Sequence, residues 1–193
     1  MSAKPPTVPA AVSPDLGPSL GDHPNDVLAH VLSLRPFGHA VEFGVARGST
    51  LRLISEAMPV TGFDSFHGLP ESWRPGFPAG RFACPAPTVP GAELIVGLFA
   101  DTLPEWTPPG PIGLVHIDCD LYSSTATVLS TLALTEGTYI VFDEFHGYLG
   151  CELHEQRAWD EYAARTGVAW DVIGHGPEQW AIRLHAPVLD SLA

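Results

Sequence analysis

Two apolar runs in this chain each stop on a pair of acids. Leu114-Val115-His116-Ile117 leads into Asp118-Cys119-Asp120, and Tyr139-Ile140-Val141-Phe142 leads into Asp143-Glu144. Short runs of this kind read as buried strands of a sheet. If the two strands are neighbours, several carboxylates meet in one crevice. Such groups repel one another unless a proton or a cation sits between them. A hard metal ion bound by oxygen is the natural occupant.

The rest of the chain supplies the context for such strands. Asn25 to Leu34 reads as a short helix, with Asp22 or Asn25 as its cap. His39 to Val45 reads as a first strand, Gly48 to Ala57 as a helix and Val60 to Asp64 as a second strand. This β-α-β unit seeds a parallel sheet. Further strands are expected at Glu93–Gly97, Ile112–Ile117 and Thr138–Phe142, with helices from about Ser124 to Leu134 and from His154 to Thr166. Val168–Ile173 and Gln179–Leu184, joined by the short turn Gly174-His175-Gly176-Pro177, form a terminal antiparallel hairpin. The expected architecture is α/β: a mostly parallel seven-stranded sheet with a C-terminal hairpin and helices on both faces. Ligands in such sheets sit at the C-terminal strand ends, where Asp64, Asp118 and Asp143 all fall. Residues 1–21, rich in Pro, Ser and Ala without periodicity, are expected to be a flexible tail ahead of one domain over residues 22–193. Gly68 to Gly91 carries too many Pro and Gly for a long helix. Its Trp73, Phe77 and Phe82 would be costly to leave in water, so a folded loop covering a site is expected.

Charge and composition exclude several function classes. The net charge is −13, with nine Lys plus Arg, and a grip on phosphate backbone needs clustered basic groups. No nucleic acid partner is expected; a neutral or cationic small molecule fits better. No window of eighteen uninterrupted apolar residues suggests a membrane span, and the N-terminus lacks the apolar core of a secretory signal. Cys84, Cys119 and Cys151 are odd in number and far apart, which fits a reduced, cytoplasmic protein.

Glu42-Phe43-Gly44-Val45-Ala46-Arg47-Gly48-Ser49 joins the first strand to its helix. Gly44 and Gly48 let the backbone turn tightly beside a ligand. The free amides at Gly48-Ser49-Thr50 suit a carboxylate or phosphate. The spacing departs from Gly-x-Gly-x-x-Gly, so an ordinary tight turn is an equal reading of the loop alone. Asp64, about 20 residues on, can accept from both hydroxyls of a ribose. Loop and acid together indicate an adenosine-containing cofactor without saying which. Arg47 is placed either to pair with a cofactor carboxylate or to lie on the surface.

Four blocks occur in order: Glu42 to Ser49; Gly62-Phe63-Asp64-Ser65-Phe66-His67-Gly68-Leu69-Pro70-Glu71; Gly97-Leu98-Phe99-Ala100-Asp101-Thr102-Leu103-Pro104; and His116 to Thr125. With them the chain resembles the macrocin O-methyltransferase family over about residues 25 to 185. The resemblance implies a Rossmann-like class I fold, S-adenosylmethionine as cofactor, in many members magnesium, and the hydroxyl of a natural-product sugar as acceptor. It implies that Glu42, Gly44 and Gly48, with Val45, Ala46, Arg47 and Ser49 in the same turn, cradle the methionine part of the cofactor. Asp64 would hold the ribose, with Ser65 and Phe66 beside it. Asp118, at the cofactor's edge, would ligate Mg2+ or another divalent cation. The following acid pair, commonly Asp-Asp in that family, is Asp143-Glu144 here; glutamate still offers an oxygen but reaches one methylene further. The chain is short before its first strand compared with that family, which implies a more open site or a partner subunit such as a second copy in a homodimer.

Methyl transfer to oxygen needs alignment of the reactants and a group to take the hydroxyl proton. Asp120 is the first candidate base and His146 the second. Asp120 has the competing reading of a helix cap, and His146 that of a loop hydrogen-bonder. His67, His116 and His175 have no metal-ligand spacing and read as structural. Three rivals remain at this stage: a metal-independent methyltransferase, a nicotinamide-dependent oxidoreductase, and a non-catalytic cofactor-binding protein. The degenerate glycine motif and the terminal hairpin argue against the oxidoreductase. The four acids Asp118, Asp120, Asp143 and Glu144 together argue against the non-catalytic reading.

Overall fold

The computed structural model of the protein describes residues 14–185. Its frame is a seven-stranded sheet built from β1 (His39–Phe43), β2 (Val60–Asp64), β3 (Ala92–Val96), β4 (Ile112–Ile117), β5 (Tyr139–Phe142), β6 (Trp170–His175) and β7 (Trp180–Leu184). The strand order is β3-β2-β1-β4-β5-β7-β6. Pairings from β3 through β5 are parallel, and β7 is antiparallel to both β5 and β6. The expected mostly parallel sheet with a terminal hairpin is thus borne out. β1 and β4 lie side by side but are separated in sequence by two strands. Their C-terminal ends form the switch point where open α/β sheets open a crevice.

Alternation along β1 and β4 explains the two-sided core. Val41, Phe43, Val115 and Ile117 face one layer, closed by α4 (Tyr122–Thr131) and α5 (Glu155–Thr166) through Val128, Leu129, Trp159 and Tyr162. Ala40 and Leu114 face the other layer, closed by α1 (Asp26–Ser33) and α2 (Ser49–Ser55) through Val27, Leu28, Val31, Leu51 and Ile54. Every residue of β1 and of β4 is buried. That explains why both read as unbroken apolar runs rather than alternating ones. Two polar residues interrupt them, Glu42 and His116. They stand opposite each other in the register and satisfy one another across the sheet, His116 Nδ1 lying 2.9 Å from Glu42 Oε1.

Several boundaries differ from the sequence expectation. β1 ends at Phe43 rather than Val45, because Gly44 leaves the strand with a φ of +91°. α4 starts two residues early, at Tyr122, and stops at Thr131. No side chain of Asn25 caps α1; instead Asp26 Oδ2 accepts from the His23 amide ahead of the helix. A four-residue helix, α3 (Phe99–Thr102), followed by a 3-10 turn at Leu103–Glu105, was not anticipated. Residues 1–13 of the expected tail lie outside the described residues. The segment from Asp15 to Leu20 runs along β6: the His175 amide donates to Pro18 O, and Leu20 donates back to His175 O. The Trp180 indole donates to Asp15 O. Among the described residues no helix is long and apolar enough to cross a membrane.

The segment from Gly68 to Gly91 is folded, as expected. Leu69 and Gly80 exchange backbone bonds across it through Arg81 O and Leu69 O. Leu69 and Trp73 are buried against Leu121. The Arg74 guanidinium lies 3.9 Å from the Trp73 ring and 4.3 Å from the Tyr148 ring, and it pairs with Glu178 at 3.2 Å. The loop is thereby tied to the turn between β6 and β7.

Gly44 is the tightest joint in this frame. A Cβ there would sit 1.7 Å from the carbonyl oxygen of Asp118, in a backbone conformation that L side chains rarely adopt. Gly110 has open space and an ordinary φ. Gly44→Ala should therefore lower the thermal midpoint by about 10 °C or more or prevent folding, since combined overlap and strain cost roughly 3 kcal/mol or more. Gly110→Ala should leave it within about 2 °C. Differential scanning fluorimetry of the two variants checks this; similar melting of Gly44→Ala and wild type would refute it.

Candidate active site

Asp64 organises the loop that follows β1. Its Oδ2 accepts from the amides of Val45 (2.9 Å) and Ala46 (2.7 Å), and its Oδ1 from the amide of Phe66 (2.8 Å). The loop is bent into this posture at a cost: Ala46 has a φ of +44° and Phe66 of +58°. Non-glycine residues in that region mark strain held by their surroundings, and such residues cluster at functional sites. Of five such residues among those described, Ala46, Phe82 and Asp120 line one cavity.

That cavity, of about 430 Å³, opens at the C-terminal ends of β1, β2 and β4. Its walls carry Gly44 and Ala46 from the first loop, Asp64 and Ser65 from the second, and Leu98, Phe99 and Ala100 from the turn after β3. Asp118, Cys119 and Asp120 follow from the end of β4, then Ser123, Ser124 and Thr127 from α4, and Glu144 after β5. Leu69, Pro70 and Phe82 of the folded loop complete it. The volume lies within the range of small-molecule sites.

At one end stand the acids read from the sequence. One carboxylate oxygen from each of Asp118, Asp143 and Glu144 lies within 4.8 Å of the others. Burial, and then the charge of Asp143 and Asp120, holds the Asp118 carboxyl well above the usual range. Burial and Asp118 do the same to Glu144. Burial also raises Asp143, against the pull of His116. Asp120 is buried beside them, and burial together with Asp143 lifts it to about 7, although Arg74 pulls it down. Its backbone lies in the left-handed region, with a φ of +64°.

Such a set is short of positive charge. Glu144 Oε2 is buried with no hydrogen-bond partner. An oxygen-only donor set with an unsatisfied buried carboxylate fits a hard divalent cation of the magnesium type. Glutamate at 144 does not spoil the cluster, since its extra methylene still leaves its oxygen within reach of Asp118 and Asp143.

Other expected residues sit elsewhere. Gly44, Ala46, Asp64, Ser65, Asp118, Asp120 and Glu144 line the cavity; Glu42, Val45, Arg47, Gly48, Ser49, Phe66, Asp143 and His146 do not. Glu42 is fully buried beneath the loop and paired with His116. Val45 and Phe66 contribute their amides to Asp64, and Gly48 caps α2 with a φ of +76°. His146 Nε2 lies 3.1 Å from the Gln179 carbonyl, and its ring stands edge-on to His175. Burial lowers its pKa. His116 is a buried core histidine paired with Glu42, as its structural reading expects, and its Nε2 comes within 3.9 Å of Asp143 Oδ1. Burial works against its charge, but Glu42 and then Asp143 raise its pKa.

Sequence reasoning missed Glu155. It starts α5, is fully buried, and accepts the Glu144 amide on Oε2 at 3.2 Å. Its signal was weak, because an acid in the first turn of a helix reads as an ordinary dipole partner. Arg74 and Glu178, 104 residues apart, had no signal at all.

Comparisons with known proteins agree with this geometry. A model described as macrocin O-methyltransferase matches residues 90–174, which bears out the resemblance read from the motifs. Among solved structures, a calicheamicin methyltransferase superposes with a TM-score of 0.65 at 23% identity, covering 82% of this chain and 76% of that one. The O-methyltransferase NovP gives 0.63 at 23% identity, with coverages of 83% and 78%. TomG of Streptomyces achromogenes, an O-methyltransferase of tomaymycin synthesis solved with S-adenosylmethionine, gives 0.51 at 19% identity, with coverages of 83% and 78%. These likenesses establish the class I fold. No curated protein matches the sequence.

The acid cluster gives a pH signature. An unfolded aspartate loses its proton near pH 4, whereas folded Asp120 holds it to about 7. Between those values the folded state binds more protons, so stability falls as pH rises through the window and levels off above it. In the presence of a chelator the thermal midpoint should drop by several degrees from pH 5 to pH 7.5. Asp120→Asn should flatten part of that slope; an unchanged slope would show that Asp120 does not titrate there.

Proposed function

We propose, from the premise that this chain is an S-adenosylmethionine-dependent O-methyltransferase matched over residues 90–174 by the macrocin O-methyltransferase family, that it methylates a hydroxyl of a small natural product with the help of a divalent cation. The observation that carries the reading is the meeting, in one cavity, of the Asp64-braced loop with Asp118 and Glu144, the two acids of the Asp118–Asp143–Glu144 cluster that line it.

Each part of the cavity has a task. Asp64 lines the cavity and, after accepting three amides, keeps about one acceptor site, on Oδ1, for a ribose hydroxyl of the cofactor. Gly44 and Ala46 present backbone without bulk beside its methionine part. Asp118, Asp143 and Glu144 would hold the cation, which when bound lowers the pKa of a coordinated hydroxyl as a Lewis acid. S-adenosylmethionine supplies an electrophilic methyl group. Asp120, buried beside the cluster and lining the cavity, takes the hydroxyl proton on its carboxylate. Leu69, Pro70 and Phe82 exclude water from above.

An acceptor with two neighbouring oxygens suits chelation best. A sugar diol and a catechol-like phenol both qualify. The description of the matched family and the calicheamicin and tomaymycin contexts of two similar structures favour a natural product. No basic side chain lines the cavity among the described residues, and the net charge is −13. A neutral or cationic acceptor therefore fits better than an anionic one.

Isothermal titration should show that wild type binds S-adenosylmethionine and that Asp64→Ala binds at least tenfold more weakly. Absence of binding by wild type would end the reading. Asp118→Ala should keep cofactor binding but lose cation-dependent transfer, scored as a gain of one methyl in mass over a panel of sugar and phenol acceptors. Asp120→Asn should slow transfer by about 10²- to 10⁴-fold, whereas His146→Ala should retain most of it. Full activity under strong chelation would favour a metal-independent enzyme instead.

A further inference from the structure

The loop from Gly68 to Gly91 walls the cavity but is held to the rest of the molecule in few places. From Pro70 to Thr88, Trp73 is the only buried residue. Much of the order in this segment is its own. The Leu69 amide donates to Arg81 O at 2.9 Å and the Gly80 amide to Leu69 O at 2.8 Å, which closes its neck. Inside the neck the Trp73 amide donates to Phe77 O and the Phe77 amide to Arg74 O, and the two aromatic rings meet edge to face at 5.0 Å. A loop closed at its neck and packed by its own side chains is of the Ω type. With so few buried contacts to its surroundings, it belongs to the low end of local stability and can swing as one body. Leu69, Pro70 and Phe82, at and beside the neck, are its residues in the cavity wall.

Three ties fasten this unit to the protein. Leu69 and Trp73 pack on Leu121. The Ser123 hydroxyl donates to Glu71 in an exposed contact. The third tie is Arg74, and it forms the only ion pair between this segment and the rest of the described residues. Its Nη1 donates to both oxygens of Glu178 at 3.3 and 3.2 Å, and its Nη2 to Oε2 at 3.2 Å. The same guanidinium lies against the Trp73 ring of the loop and against the Tyr148 ring outside it, 3.9 and 4.3 Å from their centroids. A planar cation that meets a carboxylate through its fork and two rings through its face is held by direction as well as by charge. The receiving side is anchored. Glu178 O accepts the Phe145 and His146 amides at 2.8 and 3.2 Å, and the Tyr148 hydroxyl donates to Glu144 O at 3.2 Å. Arg74 thus fastens the loop to the segment after β5 that carries Glu144, another residue of the cavity wall.

We infer that residues 69–82 form a lid over the cavity and that Arg74 is its latch, a positioning residue whose release from Glu178 and Tyr148 opens the way for a ligand to enter and leave. Lids of this kind gate both entry and release. A latch that keeps the lid shut in the empty and in the occupied protein slows both steps alike. Loosening it should therefore speed association and dissociation together and leave affinity almost unchanged. Damage to the cavity itself would instead speed dissociation alone and weaken binding.

Stopped-flow measurement of S-adenosylmethionine binding and release by the full chain tests this, and that arm rests on the cofactor reading given above. Arg74→Met keeps the apolar stem and removes the charge and the donors. Both rate constants should rise about threefold or more, with the dissociation constant within about twofold of wild type. Arg74→Lys, which keeps the charge but not the fork, should fall between the two. Adding Glu178→Gln to Arg74→Met should change nothing further, because the pair acts as one unit. Unchanged rates in Arg74→Met would overturn the latch, as would faster dissociation matched by an equal loss of affinity. If wild type does not bind S-adenosylmethionine, the cofactor reading fails and hydrogen exchange on the ligand-free protein decides the lid. Residues 69–84, and the segment around Leu121 beneath them, should then exchange about threefold or more faster in Arg74→Met than in wild type, with β1 and β4 unchanged. Equal exchange in the two proteins would overturn the lid.

Discussion

Desolvation of like charge governs this molecule. Asp118, Asp120, Asp143 and Glu144 are brought together at the ends of two adjacent strands, with Glu155 beside them at the start of α5, and burial is the first cause of the raised pKa in each. Removing an ion from water costs several kcal/mol even after relaxation. The protein offsets part of this with His116 and Gln179 beside Asp143, Arg74 near Asp120, and the Glu144 amide that donates to Glu155. The remainder is left to protons, or to a cation that replaces them. A fold optimised for stability alone would have filled this space with apolar side chains. Keeping the acids means accepting instability in exchange for a site that binds charge.

The Asp64 side of the cavity shows a different use of the same resource. There a single carboxylate, Asp64, is surrounded by amides rather than by other acids. Those bonds hold Ala46 and Phe66 in unfavourable backbone conformations, each worth roughly 1–3 kcal/mol of strain. The reward is preorganisation: the loop is already shaped before a ligand arrives, so little ordering remains to oppose binding. The acid at the end of β2 and the acids at the ends of β4 and β5 thus have opposite environments.

Much of this was legible in the sequence because it is local. Short apolar runs ending in acids mark the strands and the crevice, and the parallel sheet with its terminal hairpin follows from the order of elements. Asp118, Asp143 and Glu144 were found because strand ends converge wherever the sheet is parallel. What escaped notice is non-local. His116 looked like a polar residue in an apolar strand, and its partner lies 74 residues away. Glu155 looked like a helix-start acid until α5 was seen to place it against the Glu144 amide. The boundary of β1 was misjudged by two residues because the pull of Asp64 on the Val45 and Ala46 amides cannot be seen from the loop's own residues. Short α3 left no periodic pattern to detect, being barely one turn long.

Register connects the sheet to the chemistry. Glu42 pairs with His116, and His116 with Val141, along adjacent parallel strands. Because side chains alternate, this register puts Glu42 and His116 on the same face, next to one another and buried. Two residues beyond Val141 on the same parity stands Asp143, and its oxygen comes near the second nitrogen of the His116 ring. A slip of one residue in β4 would turn His116 to the opposite layer, strand Glu42 as an unpaired buried carboxylate, and move Asp118 out of the cluster. The polar pair inside an otherwise apolar sheet therefore specifies strand alignment more sharply than the surrounding valines and isoleucines can. The alignment it enforces is the one that brings the acids of β4 and β5 level with each other.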